Sequence, residues 1–266
     1  MPAKKIVRRG RLSRLCVLAG GALLAATACN RQVDLGGIGD GGASLLWKAT
    51  FEPGDLREWV GDGEGGTFDE NTTLAATATT VLAHTGLYAG SITLSPDASM
   101  MSTNYLFRNQ PSPPTAYYSA WFYVPSSITV STWLSLTHFR GSQTGDGNNL
   151  FAIWDVNLYP AVGGGLEAQL YDYVTQFNLR QSVPVSFPLD SWVQLEVLLT
   201  KSTDMTGRVA VWQDGTLILD RPGISTVQND WVQWDAGGAA EAISPSPSTV
   251  YLDDAAISLT RLGPGP

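Results

Sequence analysis

From Leu45 onward the chain carries no amphipathic helical pattern of ten residues or more, and this narrows its possible folds more than any other feature. In its place stand runs of five to eight residues rich in Val, Ile, Thr, Tyr, Phe and Trp. Clusters of Gly, Pro, Asn and Asp separate them, which is the pattern of strands and turns. Strands are expected at 45–52, 79–83, 87–94, 101–108, 116–124, 131–140, 149–158, 165–174, 191–200, 207–213, 216–220 and 249–260. In Val211-Trp212-Gln213-Asp214-Gly215-Thr216-Leu217 the Asp-Gly pair suits a tight hairpin turn with positive φ at both central residues. About a dozen strands in roughly 220 residues, with no helices to cover a sheet, must cover one another. The expected fold is all-β: two antiparallel sheets packed as a jelly-roll sandwich.

The first residues read as an address. Lys4, Lys5, Arg8, Arg9, Arg11 and Arg14 form a basic start, and an apolar stretch runs from Leu15 to Ala28, too short for a stable membrane span. Leu24-Ala25-Ala26-Thr27-Ala28-Cys29 resembles a bacterial lipobox, with Ala26 where leucine is usual. The resemblance implies a signal peptide over 1–28, lipid on Cys29 and a glycine-rich tether over 29–44. The folded domain is expected over 45–262. The expected location is the cell envelope, with the outer membrane favoured; ordinary cleavage would instead give a secreted protein. Only Cys16 and Cys29 exist, so the domain has no disulfide and must rely on its core. Sixteen Lys and Arg less the six of the start leave ten against 24 Asp and Glu, a net charge of −14. Such a field excludes general nucleic-acid binding.

Several segments resemble the concanavalin-A-like jelly-roll superfamily. They are Ala49-Thr50-Phe51-Glu52-Pro53-Gly54-Asp55-Leu56-Arg57-Glu58-Trp59, the turn His84-Thr85-Gly86-Leu87-Tyr88-Ala89, and the closing Tyr251-Leu252-Asp253-Asp254-Ala255-Ala256-Ile257-Ser258. The middle resembles heparin-lyase-I-like polysaccharide lyases: Tyr117 to Pro125, Thr137-His138-Phe139, and Trp192 through the hairpin ending in Asp214-Gly215. This resemblance implies a carbohydrate-active sandwich. Fold alone does not assign the chemistry.

A polysaccharide lyase needs a base for the proton beside a uronate carboxylate, an acid for the leaving oxygen, and groups that stabilise the developing charge. The resemblance places His138 as base. Arg140 shares its strand face by two-residue alternation. Tyr171 and Tyr173 are the candidate acids. They alternate onto one face with Glu167 and Gln169, which are expected to contact sugar, while Leu166, Ala168 and Leu170 point the other way. Trp192 and Gln194 form a similar face on 191–200 and are also expected to contact sugar. Two departures from the lyase pattern count against catalysis. Leu136 stands where Gln is usual, and 231–238 lacks the Lys and Tyr of the late lyase strand. The resemblance also implies one structural Ca2+ on Glu52 and Asp253, at the paired ends of the chain. The paired-carboxylate pattern of retaining glycosidases and the Gly-x-Ser-x-Gly elbow are absent. The first reading is therefore an envelope lipoprotein whose jelly roll binds polysaccharide. The alternatives are a lyase acting on a uronate-containing glycan, and a structural envelope protein with no sugar ligand.

Overall fold

A computed structural model of the chain describes residues 45–109 and 113–265. The basic start, the apolar stretch, Cys29 and the spacer lie outside the described residues. The elements run β1 (Leu45–Ala49), α1 (Arg57–Val60), β2 (Gly65–Glu70), β3 (Thr77–Thr79), β4 (Ala89–Leu94), β5 (Ser102–Arg108), β6 (Thr115–Tyr123) and β7 (Thr129–Val130). The middle of the chain supplies β8 (Leu134–Ser142), β9 (Leu150–Pro160), β10 (Leu166–Asp172), β11 (Phe177–Leu179), β12 (Ser186–Phe187) and β13 (Trp192–Thr200). The end supplies β14 (Gly207–Gln213), β15 (Thr216–Ile224), β16 (Val232–Ala240), β17 (Ile243–Ser244) and β18 (Ser248–Ser258).

Two eight-stranded antiparallel sheets carry the fold. One has the order β15-β14-β13-β6-β18-β4-β3, with β1 added to β18; the other has the order β11-β10-β9-β8-β16-β5-β2, with β12 added to β10. The all-β, two-sheet sandwich read from the sequence is what the chain adopts. Among the described residues no helix is long and apolar enough to cross a membrane. The predicted hairpin forms with φ of 46° at Asp214 and 76° at Gly215, the primed turn that matches strand twist.

Three differences matter. The predicted strand 79–83 is instead β3 at Thr77–Thr79, followed by a turn up to β4. Six strands absent from the prediction are present, the short β7, β11, β12 and β17 and the longer β2 and β16, and β16 lies inside its sheet between β8 and β5. Its Ala236-Gly237-Gly238-Ala239-Ala240 run has low strand propensity in isolation. The sheet imposes extension there because β16 is buried along its whole length. Gly237, at φ 145°, lies so close to β5 that a Cβ would sit 2.5 Å from the Asn104 carbonyl oxygen.

Alternation builds the core. Val193, Leu195, Val197 and Leu199 of β13 join Trp154, Val156 and Leu158 of β9 in one buried hydrophobic core. Tyr118 of β6 joins the two sheets, edge-on to Phe139 at 5.0 Å and tilted against Trp234 at 5.5 Å.

Two polar clasps close the sandwich. Glu52 Oε1 accepts hydrogen bonds from the Leu87 and Tyr88 amides at 2.8 and 3.0 Å. Asp253 Oδ2 accepts from the His84 and Thr85 amides at 2.8 and 3.3 Å. The two carboxylates thus grip opposite ends of one turn. Gly86 at its apex has φ 63°, and a Cβ there would lie 2.2 Å from Glu52 Oε1. Burial and the neighbouring Asp254 push the Asp253 carboxyl up to about 7. The second clasp holds the C-terminal segment: Arg261 Nε and the Leu262 amide donate to the buried Glu196 at 2.8 and 2.7 Å.

Candidate active site

Strand register gathers a polar row on the outer face of the second sheet. Asp235 of β16 lies beside His138 of β8, His138 beside Asp155 of β9, and Asp155 beside Tyr171 of β10. Cross-strand partners share a face, so these groups point together. His138 Nδ1 bonds Asp155 Oδ1, and the Tyr173 hydroxyl donates to Asp155 Oδ2 at 2.7 Å. One carboxylate therefore bridges the imidazole and the phenol. On the other side, Arg140 Nε donates to Asp235 Oδ2 at 2.7 Å, and Gln233 Nε2 donates to Asp235 Oδ1.

A groove of about 240 Å³ opens over this row, lined by His138, Arg140, Asp155 and Tyr173 on its polar side. Phe68, Met101, Trp133, Leu150 and Phe151 form its apolar side. The Arg140 guanidinium lies over the Phe68 ring at 4.1 Å. Tyr105 stacks on His138 with ring centroids 5.7 Å apart, and Tyr173 meets its other side edge-on at 5.9 Å. The imidazole is thus fixed by two rings and one carboxylate.

A β-bulge in β8 sets which residues reach the groove. Pairing with β9 shifts between Ser135 and Thr137, and pairing with β16 shifts between Ala236 and Ala239. The extra residue sends both Leu136 and Thr137 to the core side, where the Thr137 hydroxyl receives the Trp234 indole N–H at 2.7 Å. Strict alternation would have put Leu136 on the face of His138. The bulge takes it away and leaves Ser135 on the groove side, so an apolar residue at that position does not spoil the polar face.

Burial tunes the groups. His138 is 8% exposed and Asp235 is fully enclosed, whereas Tyr173 is 38% exposed. Desolvation raises the Asp235 carboxyl above the ordinary range, opposed by the Arg140 guanidinium and the hydrogen bond from Gln233. Burial of its hydroxyl and the Asp155 charge raise the Tyr173 phenol. Tyr173 is therefore held in its protonated form, the form from which a general acid starts.

The expected residues divide into three groups. His138, Arg140 and Tyr173 line one groove. Tyr171 packs edge-on against Tyr173 at 4.8 Å, behind the hydroxyl that reaches Asp155. Glu167 and Gln169 share the same outer face but are buried and bonded to each other at 2.6 Å, with Asn178 donating to Gln169 at 2.7 Å. They brace the end of the polar row and do not line the groove. Trp192 and Gln194 require correction, because β13 belongs to the other sheet. Trp192 Nε1 donates to the Ala83 carbonyl at 3.2 Å, and Gln194 Nε2 donates to Ser119 Oγ and the Gly263 carbonyl at 2.9 and 2.6 Å. Their polar face is real, but it seats the turn after β3 and the C-terminal segment.

Three groups of the site were not anticipated: Asp155, Asp235 and Gln233. Asp155 was legible, since Asp155, Asn157 and Tyr159 alternate with Trp154, Val156 and Leu158. Asp235 and Gln233 were hidden with β16 itself. That strand lacks the Lys and Tyr of the lyase pattern and contributes a carboxylate and an amide instead.

No protein-family profile and no curated protein matches the chain. Solved structures do. Over 82% of its length the chain is similar to 96% of an endo-β-1,4-glucuronan lyase from the fungus Trichoderma reesei, with TM-score 0.59 and 13% identity. It is similar over 82% to 99% of the cellulose induced protein Cip1, with TM-score 0.56 and 18% identity. It is similar over 81% to 98% of a mutant of the alginate lyase Aly36B in complex with alginate trisaccharide, with TM-score 0.54 and 14% identity. At these identities the likeness establishes the fold, a jelly-roll sandwich shared with polysaccharide lyases. It gives no specific support to heparin lyases among them.

Proposed function

We propose that the groove carries out β-elimination on a uronate-containing polysaccharide. One observation carries this reading: Asp155 joins an imidazole and a phenol at the floor of a groove, beside an arginine. With Nδ1–H donating a hydrogen bond to the Asp155 carboxylate, Nε2 of His138 keeps its lone pair and acts as base. It takes the proton from the carbon next to the uronate carboxyl group. That C–H electron pair becomes the new C=C bond while the β-carbon–oxygen bond breaks. The departing oxygen takes the Tyr173 proton. Solvent in the open groove then resets both groups. Arg140 faces the carboxyl group where charge builds. The glucuronan and alginate lyases with the same fold support this reading over binding alone.

The test is the ultraviolet absorbance of an unsaturated uronate product, with the purified chain on alginate, glucuronan, heparin and chondroitin. A rise is expected. No rise on these or on their methyl esters, with glycan retained in affinity electrophoresis, would leave a binding module. Tyr173→Phe keeps the ring contacts with His138 and Tyr171 but removes the proton. It is expected to lower kcat about 10²-fold or more with little change in KM. A comparable rise in KM with kcat unchanged would assign Tyr173 to binding.

We also propose Ca2+ at the clasp of Glu52 and Asp253. Among the described residues no three His, Cys, Asp or Glu side chains gather to hold a metal, so backbone carbonyls and water must complete the shell. What favours a cation is crowded negative charge: Asp253 is buried beside Asp254, whose ionic partner is His84 Nδ1 at 2.7 Å, and among the described residues no lysine or arginine bonds either carboxylate. At a Ca2+ concentration about a hundredfold above Kd the ion would stabilise by roughly 2.7 kcal/mol, or about 5–10 °C in Tm. Asp253→Asn should abolish that shift. An unchanged Tm between CaCl2 and EDTA would leave the carboxylates as amide clasps only.

A further inference from the structure

The charge balance of the groove points to its substrate class. Among the described residues Arg140 is the only lysine or arginine lining it, and Asp235 already neutralises that guanidinium. Against it stand Asp155 on the floor and Glu70 at the edge. Other arginines are paired away from the groove: Arg108 is bonded to Asp62, Arg208 to Asp220 and Arg261 to Glu196. A chain of free uronates is a dense polyanion, and this groove offers it no unpaired lysine or arginine. The reacting residue poses a sharper difficulty. Removing the proton beside an ionised carboxylate places a second negative charge on the same group, which a site must meet with unspent positive charge or strong donors. Removing it beside an ester makes a singly charged enolate, which a paired arginine can face.

The apolar part of the lining fits the same conclusion. Phe68, Met101, Trp133, Leu150 and Phe151 give the groove an apolar side next to Arg140 and His138. An alkyl ester finds apolar surface there, where a carboxylate would lose its water without gaining a partner.

We propose that the groove acts on uronate residues whose carboxyl groups are esterified, as in a methyl-esterified polyuronate. This rests on the elimination reading above. The step balances as before: the base takes the α-proton, the C=C bond forms, the glycosidic C–O bond breaks, and the ester passes unchanged into the product. Neither water nor an oxidant is consumed.

The experiment pairs polygalacturonate and alginate, each as free acid and as its methyl ester, and follows unsaturated product by ultraviolet absorbance. The purified full chain is expected to cleave the esterified member of at least one pair about tenfold faster or more. Asp235→Asn removes the charge that neutralises Arg140 and is expected to raise the ratio of free-acid to ester rates. Faster cleavage of the free acid by the unaltered chain would overturn the ester proposal and leave elimination standing. No cleavage of either member of either pair, by a chain that melts cooperatively, would overturn both.

Discussion

Replacing His138 by alanine is expected to lower kcat for unsaturated-product release about 10²- to 10⁴-fold, the usual contribution of a positioned general base. In barrier terms that is roughly 2.7 to 5.4 kcal/mol. The substitution removes Nε2 and also the group that Asp155 orients, while Asp155 keeps its bond from Tyr173. The fold should therefore persist. Thermal melting and glycan retention serve as controls, because a base can be removed without losing the groove. Activity above about a tenth of the original, with the melt unchanged, would place the base elsewhere.

Trp234→Ala is expected to cause the largest loss of stability, about 3–5 kcal/mol. For a domain of this size that lowers Tm by roughly 6–20 °C. Trp234 is 2% exposed, and its ring lies 5.9 Å from Trp59 and 6.2 Å from Trp47 as well as against Tyr118. Its indole N–H holds the Thr137 hydroxyl at the β8 bulge. Truncation thus opens a cavity and loosens the bulge that directs His138 outward, so activity should fall further than stability alone explains. A fall in Tm below about 3 °C, read by circular dichroism, would mean that the surrounding tryptophans close the gap.

The sandwich was legible because burial enforces alternation, and alternation is visible in a single sequence. Leu195, Val197 and Leu199 could face only a core, and Asp214-Gly215 could make only a tight turn. His138, Arg140 and Tyr173 were legible as types of residue on two polar faces. What the sequence concealed was pairing. Nothing local in Gln233 or Asp235 indicates that β16 slots beside β8, since Gly237 and Gly238 have low strand propensity until neighbours extend them. The bulge before Thr137 was equally silent, so Leu136 read as a lost polar contact. Trp192 and Gln194 failed for another reason. Their alternation is as clean as that of Tyr171, but alternation says that a face is polar and not which sheet owns it.

The strand order has a consequence for how the molecule comes into being. In one sheet the final strand, β18, lies between β6 and β4, and in the other β16 lies between β8 and β5. A growing chain must therefore hold β4 and β6 apart, with bonding edges open, until nearly all of it has been made. Contacts so distant in sequence make folding slow, and waiting edges invite pairing with other chains. Completion is nearly all-or-none: the turn over 84–88 has no Asp253 to grip until β18 arrives, so the same step that fills the sheet also seals its end.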